Sequence, residues 1–599
     1  MSSWLVAGSA TAETSAALKT ASLRASDAVE RRTAHLPTLL SRHDAALYRR
    51  IFALQKDGHW NEADAFIKWI RDPLLMGHVR FQRLMHPTLY RSSYGELWTW
   101  MNAYADHPGA RRVYRLAKKR QPEGWKSPKK PARAVLASEL KSDPVPVALR
   151  SANGRRQKGT EVEVRSRTRR PVIRQVHGKI RKLVSGGYVT RALRFLEQPH
   201  HVRVLDAVSF DENLAWIARG YYFWDRDQRA LEVARRAIAR SGARVPLAYW
   251  WGGLAAWRLG HHRDAAELFG ALAESRSVTP WLVSAGGYWA SRAYREAGEA
   301  ERVAPMLRAA ARHPRTFYGL LALTALGERP PLDFEMRELS AADLDDLLGM
   351  RPVRRALALI QVGEHVRAGT ELRRFAHRMS PRLALVILAL ASESGLADLS
   401  YRAAESLLQR TGVPVDAALY PLPVWEPDGG YTLDRAFLFA VMRQESKFRA
   451  GARSSRGASG LMQLMPRTAG VMAGRKYRGA QRRELLEPVL NVTLGEKYLR
   501  YLLSRDEVDG NLFYALAAYN GGPAKLREWK RRVDYRNDPL LFIESIPSWE
   551  TRIFIERVLT NMWIYRIRFG QATRSLDTIL SGGWPTYIPL DRRRAGARS

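Results

Sequence analysis

The stretch Tyr249-Trp-Trp-Gly-Gly-Leu-Ala-Ala-Trp-Arg-Leu-Gly260, followed by His261-His-Arg-Asp-Ala-Ala-Glu-Leu-Phe269, decides the architecture. It is an apolar run of helical length, a glycine stop, and a second helical run with paired small residues. The same plan returns downstream in Tyr288-Trp-Ala-Ser-Arg-Ala-Tyr-Arg-Glu-Ala-Gly298, and upstream Ala218 to Ile238 holds two helical stretches broken near Trp224-Asp225. A helical pair recurring roughly every 34–40 residues predicts a helical-hairpin solenoid, because one such pair cannot bury its apolar face alone. The aromatic residues then read as packing between repeats rather than as a ligand box. Phe317-Tyr-Gly-Leu-Leu-Ala322 and Gly327 close the array, which we place at residues 183–330.

Outward from the array, residues 36–117 predict further helices. Leu47, Ile51 and Leu54 form one stripe, Gly58 is a C-cap, and a second helix runs from Trp60 to Trp69 and stops near Pro73. Residues 331–420 predict a helical linker region with helices at Leu344–Leu348, Val353–Val362 and Leu383–Ala391. Pro421, Pro423, Pro427 and Gly429-Gly430 mark a boundary, and residues 421–590 read as a separate domain. The expected class is all-α throughout.

Between Lys118 and Lys182 there are twenty Lys/Arg against five Asp/Glu, with Pro122, Pro128, Pro131, Pro144, Pro146 and Pro171. We read no apolar period there and expect a disordered basic insertion, either a solvated linker or a tether to a polyanion. It accounts for much of the chain's net charge of +38. Trp125 is its only aromatic residue, so it carries no stacking platform for nucleic acid. The 599 residues contain no cysteine, which excludes disulfides, thiolate metal sites and a cysteine nucleophile. No run approaches the ~20 apolar residues of a membrane span. In residues 1–35, Ala10-Thr11-Ala12 before Glu13 reads either as the cleavage site of a signal that begins upstream or as a frayed Ala/Ser-rich terminus. His200-His201 and His261-His262 are adjacent pairs in polar turns. No His/Asp/Glu cluster has metal-ligand spacing, so neither a metal nor a cofactor is expected.

The chemistry is concentrated near residue 445. Leu433, Phe437 and Val441 lie four apart on one helix face, and the next position on that face is Glu445. Partial burial there disfavours the ionised form and suits a general acid. The alternative is a helix-terminal glutamate bonded to nearby backbone. Three further segments follow: Ser454-Ser-Arg-Gly457-Ala-Ser-Gly460-Leu-Met-Gln463-Leu-Met465-Pro466, Ala517-Ala-Tyr519-Asn520-Gly-Gly-Pro523, and Ile546-Pro-Ser548-Trp-Glu550-Thr-Arg552.

In these four segments, their order and their spacing, residues 430–570 resemble the soluble lytic murein transglycosylases. The upstream array resembles the α-superhelix of the large members of that family. The resemblance implies an α-superhelical solenoid followed by a lysozyme-like catalytic domain. It further implies cleavage of the β-1,4 bond between N-acetylmuramic acid and N-acetylglucosamine with formation of 1,6-anhydro ends, and a periplasmic location in a Gram-negative bacterium. Glu445 would be the single catalytic acid/base. Ser454 would bond to that glutamate, Tyr519 would lie close to the reaction centre and Glu550 would complete the constellation. Gln463 and Met465 would line the glycan groove, and Asn520 would support the Tyr519 turn. The implied partner is the peptidoglycan strand, with polyanion contact through 118–182 and no specific nucleic acid. Local readings stay open beside these: Ser454 as a turn residue, Met465 as core, Tyr519 as packing, and Glu550 as a first-turn partner of the helix dipole. A lysozyme-type hydrolase and a non-enzymatic scaffold are the competing classes.

Overall fold

A computed structural model of the chain describes residues 36–132 and 170–591, apart from 87, 277, 374 and 376–379. The described residues form helices and no named strand. The segment carrying Ala10–Ala12 and the middle of the basic stretch lie outside the described residues. The chain divides into two compact units that do not follow chain order. The first comprises Met1–Gly154, Asp333–Thr432 and Glu445–Lys497; the second comprises Arg155–Leu332, Leu433–Gln444 and Tyr498–Ser599. The divisions fall inside two helices, Arg435–Ser446 and Pro488–Leu503.

The second unit contains the array. Its pairs are Ala207–Phe223 with Asp227–Ser241, Pro246–Arg258 with His262–Ala273, and Pro280–Glu296 with Ala300–Ala311, closed by Phe317–Ala325. The glycine doublets of the sequence mark helix crossings. A Cβ on Gly253 would stand 2.6 Å from Phe269, and one on Gly286 would stand 2.7 Å from Leu272 and 2.8 Å from the Phe269 carbonyl. Trp250, Trp251, Tyr288 and Trp289 are buried. Rings meet across repeats, as in Trp257 with Trp289 at 5.4 Å and Tyr288 with Tyr318 at 5.4 Å. Trp250, Trp251, Tyr288 and Trp289 are therefore core, whereas Trp224 is exposed, and each large ring buried this way contributes on the order of 2–3 kcal/mol.

In the first unit, helix Arg42–Asp57 ends at Gly58, whose φ of 85° is the left-handed cap expected there. Helix Arg351–Gln361 is tied to the start of the described chain by its last residue. The Gln361 side chain accepts from Leu39 and Leu40 N–H at 3.1 and 3.0 Å and donates to the Leu40 carbonyl at 2.7 Å.

The basic stretch 118–182 departs from the expectation of disorder at both ends. Lys118–Arg120 complete helix Ala110–Arg120, in which Val113 and Ala117 are buried. Beyond that helix, Tyr94 donates to the Lys126 carbonyl and Ala132 N–H donates to the Ala105 carbonyl at 2.9 Å. Arg170–Ser185 is a helix with Ile173, Val176 and Ile180 buried. Those three residues lie three and four apart, a core-facing stripe that the dense intervening cations conceal in composition. Only nine of the twenty cations and four of the five acids fall in 133–169. Most of the excess charge is thus carried by ordered surface.

Candidate active site

Glu445 is the penultimate residue of helix Arg435–Ser446 and is half-buried. Leu433, Phe437 and Val441 behind it are buried, as their spacing predicted. Asp434 anchors the start of this helix. Its buried carboxylate accepts from Leu590 and Asp591 N–H at 2.9 and 3.0 Å and from Arg566 at 3.2 Å. Burial pushes the Arg566 guanidinium below its ordinary value, more than Asp434 raises it. After Ser446 the chain turns through Lys447 (φ 53°) and Phe448 (φ 60°), two non-glycine residues in the left-handed region. Such residues cost of order 1–3 kcal/mol each. Burial of Phe448 and the Lys447–Glu405 ion pair at 3.0 Å hold the turn.

The glycine loop follows in the same unit. Ser454 is exposed; its Oγ accepts from Ala458 N–H at 3.0 Å, and its own N–H donates to the Ala458 carbonyl at 2.9 Å. Single antiparallel bridges join Ser459 to Arg453 and to Leu464. Gly460 has φ 84°, and a Cβ there would stand 2.2 Å from Asn491 Nδ2 and 2.4 Å from the Leu485 carbonyl, so no other residue fits. Gln463, at φ 46°, donates through Nε2 to the Gly460 carbonyl at 2.8 Å. Met465 is 42% exposed at the N-cap of Pro466–Ala473, which removes the reading of Met465 as core.

Sequence reading passed over the residue that pins this loop. Asn491 is fully buried; it accepts from Met462 N–H at 2.7 Å and donates to the Ser459 and Leu485 carbonyls at 3.0 and 2.8 Å. Glu496, also buried, accepts from Thr432 N–H at 2.7 Å. The signal was available: polar side chains in the otherwise apolar run Asn491-Val-Thr-Leu-Gly-Glu.

Tyr519, Asn520 and Glu550 belong to the second unit. Helix Leu512–Gly521 ends at Gly522, and Pro523 is N1 of the next helix. The Tyr519 ring stacks on Phe554 at 5.9 Å with planes 3° apart and meets Tyr498 at 5.4 Å. Asn520 Oδ1 accepts from Thr551 Oγ1 at 2.7 Å, which ties the helix end to the first turn of Trp549–Arg568. Ser548 caps that helix by accepting from Thr551 N–H, and Glu550 is exposed in its first turn.

The arginine of the last motif enters a buried cluster. Arg552 lies over Trp251 and Phe223 at 5.0 and 5.4 Å and donates to the Glu544 backbone carbonyl at 2.9 Å. The Glu544 carboxyl accepts from Tyr318 at 2.6 Å. Burial raises Glu544 above the usual carboxylate range, with Arg552 opposing. Burial and the proximity of Glu544 raise Glu556 further. In the first unit a different cluster joins residues remote in sequence. Gly109 N–H donates to His107 Nδ1, which leaves His107 Nε2–H to donate to His78 Nδ1 and His78 Nε2–H to donate to Glu371, at 3.0, 3.0 and 2.8 Å. Arg355 donates to Glu371 at 2.7 Å. Burial lowers the His78 pKa; in Glu371 burial is outweighed by the bonds from His78 and Arg355, which hold it below its ordinary value. His78, His107 and Glu371 are close enough to suggest a metal site. Their facing nitrogens are instead committed to one directional chain, with a guanidinium on the carboxylate that would repel a cation.

The described residues thus combine a helical hairpin array with a segment in which a glutamate ends an apolar helix and a glycine loop follows it in the chain. Residues 426–542 match the family described as "Transglycosylase SLT domain". A soluble lytic murein transglycosylase of Salmonella typhimurium is 38% identical over 146 residues, 24% of this chain and 22% of that protein. Its Escherichia coli counterpart is 35% identical over 147 residues, again 24% and 22%. The aligned stretch thus spans about a fifth of the length of these relatives. An inactive mutant of the lytic transglycosylase Slt of Pseudomonas aeruginosa has a similar fold over 91% of this chain and 89% of its own, with TM-score 0.50 and 21% identity. The match to the SLT domain family is confined to residues 426–542 of the 599.

Proposed function

We propose that the chain is a peptidoglycan lytic transglycosylase that acts on the β-1,4 bond between N-acetylmuramic acid and N-acetylglucosamine. The observation that carries this reading is Glu445, half-buried at the end of an apolar helix inside the matched SLT domain. Protonated Glu445 donates to the glycosidic oxygen as that C–O bond breaks. Positive charge develops at the anomeric carbon, stabilised by the substrate's own acetamido group. The carboxylate then takes the proton of the muramyl 6-hydroxyl, whose oxygen closes the 1,6-anhydro ring. An intramolecular nucleophile has a high effective molarity, so one essential carboxylate suffices where water-using glycosidases need two. Tyr519, Ser454 and Glu550 are assigned supporting roles, and Gln463, Met465 and Asn520 are assigned to glycan binding. The exposure of Met465 agrees with that assignment. Work on murein places the protein in the periplasm. Contact with the polyanionic wall falls to the ordered helices Ala110–Arg120 and Arg170–Ser185 more than to residues 133–169.

Mass spectrometry of a sacculus digest tests the reaction. Anhydro-muramyl ends are expected; reducing ends would make the chain a lysozyme-type hydrolase. Glu445→Gln should cut turnover by at least ~10²-fold with folding unchanged. Turnover within about threefold of wild type, against that scale, would leave the chain a scaffold.

A further inference from the structure

In the first unit, away from every residue assigned to the reaction, helix Ala110–Arg120 divides its circumference cleanly. Ala110, Val113 and Ala117 are buried on one side. Arg111, Arg112, Arg115, Lys118 and Lys119 are exposed and, at 3.6 residues per turn, share about a third of the circumference on the opposite side. Among the described residues no carboxylate ion-pairs with any of them, and Glu123 is the single acid of residues 110–132. The chain then folds back beside this face. Lys118 Nζ donates to Gln121 Oε1 at 2.7 Å, and Gln121 Nε2 donates to the Trp125 carbonyl at 2.6 Å. Trp125 N–H donates to the Pro122 carbonyl at 3.3 Å across a turn in which Gly124 has φ 77°. Tyr94 is buried, donates to the Lys126 carbonyl and meets the Trp125 ring edge-on at 5.8 Å. Trp125 is nevertheless 59% exposed. It is a large ring fixed at its backbone and along one edge, and offered to solvent. Lys126, Lys129 and Lys130, which follow it in the chain, are exposed too.

Charge complementarity calls for a polyanion, and Trp125 discriminates among polyanions. A wall of carboxylates engages the cations and leaves Trp125 in water. A nucleic-acid strand is held on successive stacked rings, and this face offers one. An anionic bilayer uses both parts: its phosphates meet Lys and Arg, and an indole settles at headgroup level with its apolar body toward the acyl chains. We propose that helix Ala110–Arg120 and the turn after it form a peripheral docking surface for an anionic phospholipid bilayer, with Trp125 as the inserted anchor. This goes beyond the wall contact proposed above, which needs the cations alone, and it stands apart from the reaction at Glu445.

Flotation of the full chain with lipid vesicles tests the surface. The vesicles are phosphatidylethanolamine with phosphatidylglycerol, or phosphatidylcholine alone, and purified sacculi serve as the competing polyanion. Binding to the anionic vesicles at least ~10²-fold tighter than to the neutral ones is expected, falling as salt rises. The combined substitutions Arg112→Gln, Arg115→Gln and Lys119→Gln, all on exposed positions, should weaken it by about 10²-fold, at roughly fivefold per cation. Trp125→Ala should weaken it about tenfold and leave binding to sacculi unchanged. Trp125→Phe keeps a ring against Tyr94 and should lose tryptophan quenching by brominated acyl chains that the wild type shows. Binding to sacculi without binding to anionic vesicles would assign the face to another polyanion and overturn the proposal. So would equal binding to neutral and anionic vesicles, or a Trp125→Ala variant that floats like wild type. None of these outcomes bears on the anhydro products of the digest, which test the reaction separately.

Discussion

In the first unit Glu371 is fully buried and accepts hydrogen bonds from His78 and Arg355; in the second Glu544 is almost as deeply buried, but its carboxyl accepts from the phenol of Tyr318. Its neighbouring cation, Arg552, is spent on a backbone carbonyl and on the faces of Trp251 and Phe223. Burial penalises both carboxylates. Where charged and polarised donors converge directly, the carboxyl is held below its ordinary value; where a neutral donor and a second carboxyl, Glu556, are the neighbours, it is raised above it. Two buried carboxyls are therefore shifted in opposite directions, and the linkage relation gives them opposite pH dependence.

The largest expected effect comes from removing the charge where it is used. Glu371→Gln takes from Arg355 its buried partner, leaves it only the more exposed Asp106 at 2.8 Å, and should destabilise the first unit by up to about 3–5 kcal/mol. Hydrogen exchange across helices Met76–Leu84 and His365–Arg373 would report it. Protection within about 1 kcal/mol of wild type would break the contrast.

The next effect is a loss of loop geometry. Asn491→Ala strips Met462 N–H and the Leu485 carbonyl of their partner, while the Ser459 carbonyl keeps Leu464 N–H, and should cost about 2–4 kcal/mol, at ~1–3 kcal/mol for a buried unsatisfied group with partial relaxation. Activity should fall with it, since the loop bearing Gln463 and Met465 loses its pin. A folded, fully active variant in thermal and digest assays would refute that role.

The pH dependence has a definite sign in each unit. His78 and Glu371 lie below their unfolded values, so they contribute stability above those values and lose it as pH falls, first through the histidine range and then through the carboxylate range. Glu544 and Glu556 lie above theirs, so they contribute stability at acid pH and lose it as pH rises. Acidification should lower exchange protection around Glu371 and raise it around Glu544. Parallel shifts in the two regions would contradict the assignment.

The smallest effect sharpens the comparison. Glu544→Gln replaces a carboxyl whose ionised form burial disfavours and should change stability less than Glu371→Gln does, by about 1 kcal/mol. A loss comparable to that of Glu371→Gln, read from urea midpoints, would show Glu544 to be ionised.

The repeats were legible because each hairpin restates the same local requirement. The glycine doublets and aromatic residues of 246–296 signal close crossings whatever the rest of the chain does. The Leu433–Phe437–Val441 stripe was legible for the same reason. The helix Arg170–Ser185 was missed because composition outweighed a three-residue stripe. The Glu371 cluster was invisible for a stronger reason: His78, His107 and Glu371 meet across 29 and 293 positions of chain, and no local pattern predicts such a meeting.

From sequence alone came the all-helical class, the repeating array, the SLT segment and the glutamate at the end of its apolar helix. Each follows from periodicity or from residues adjacent in the chain, where backbone geometry decides which side chains share a face. Only the tertiary structure decided that Asn491 holds the glycine loop, that Met465 is exposed, and in which direction each buried carboxyl is shifted. Those outcomes depend on burial and on donors brought from distant segments, because the protonation of a buried group is set by what finally surrounds it.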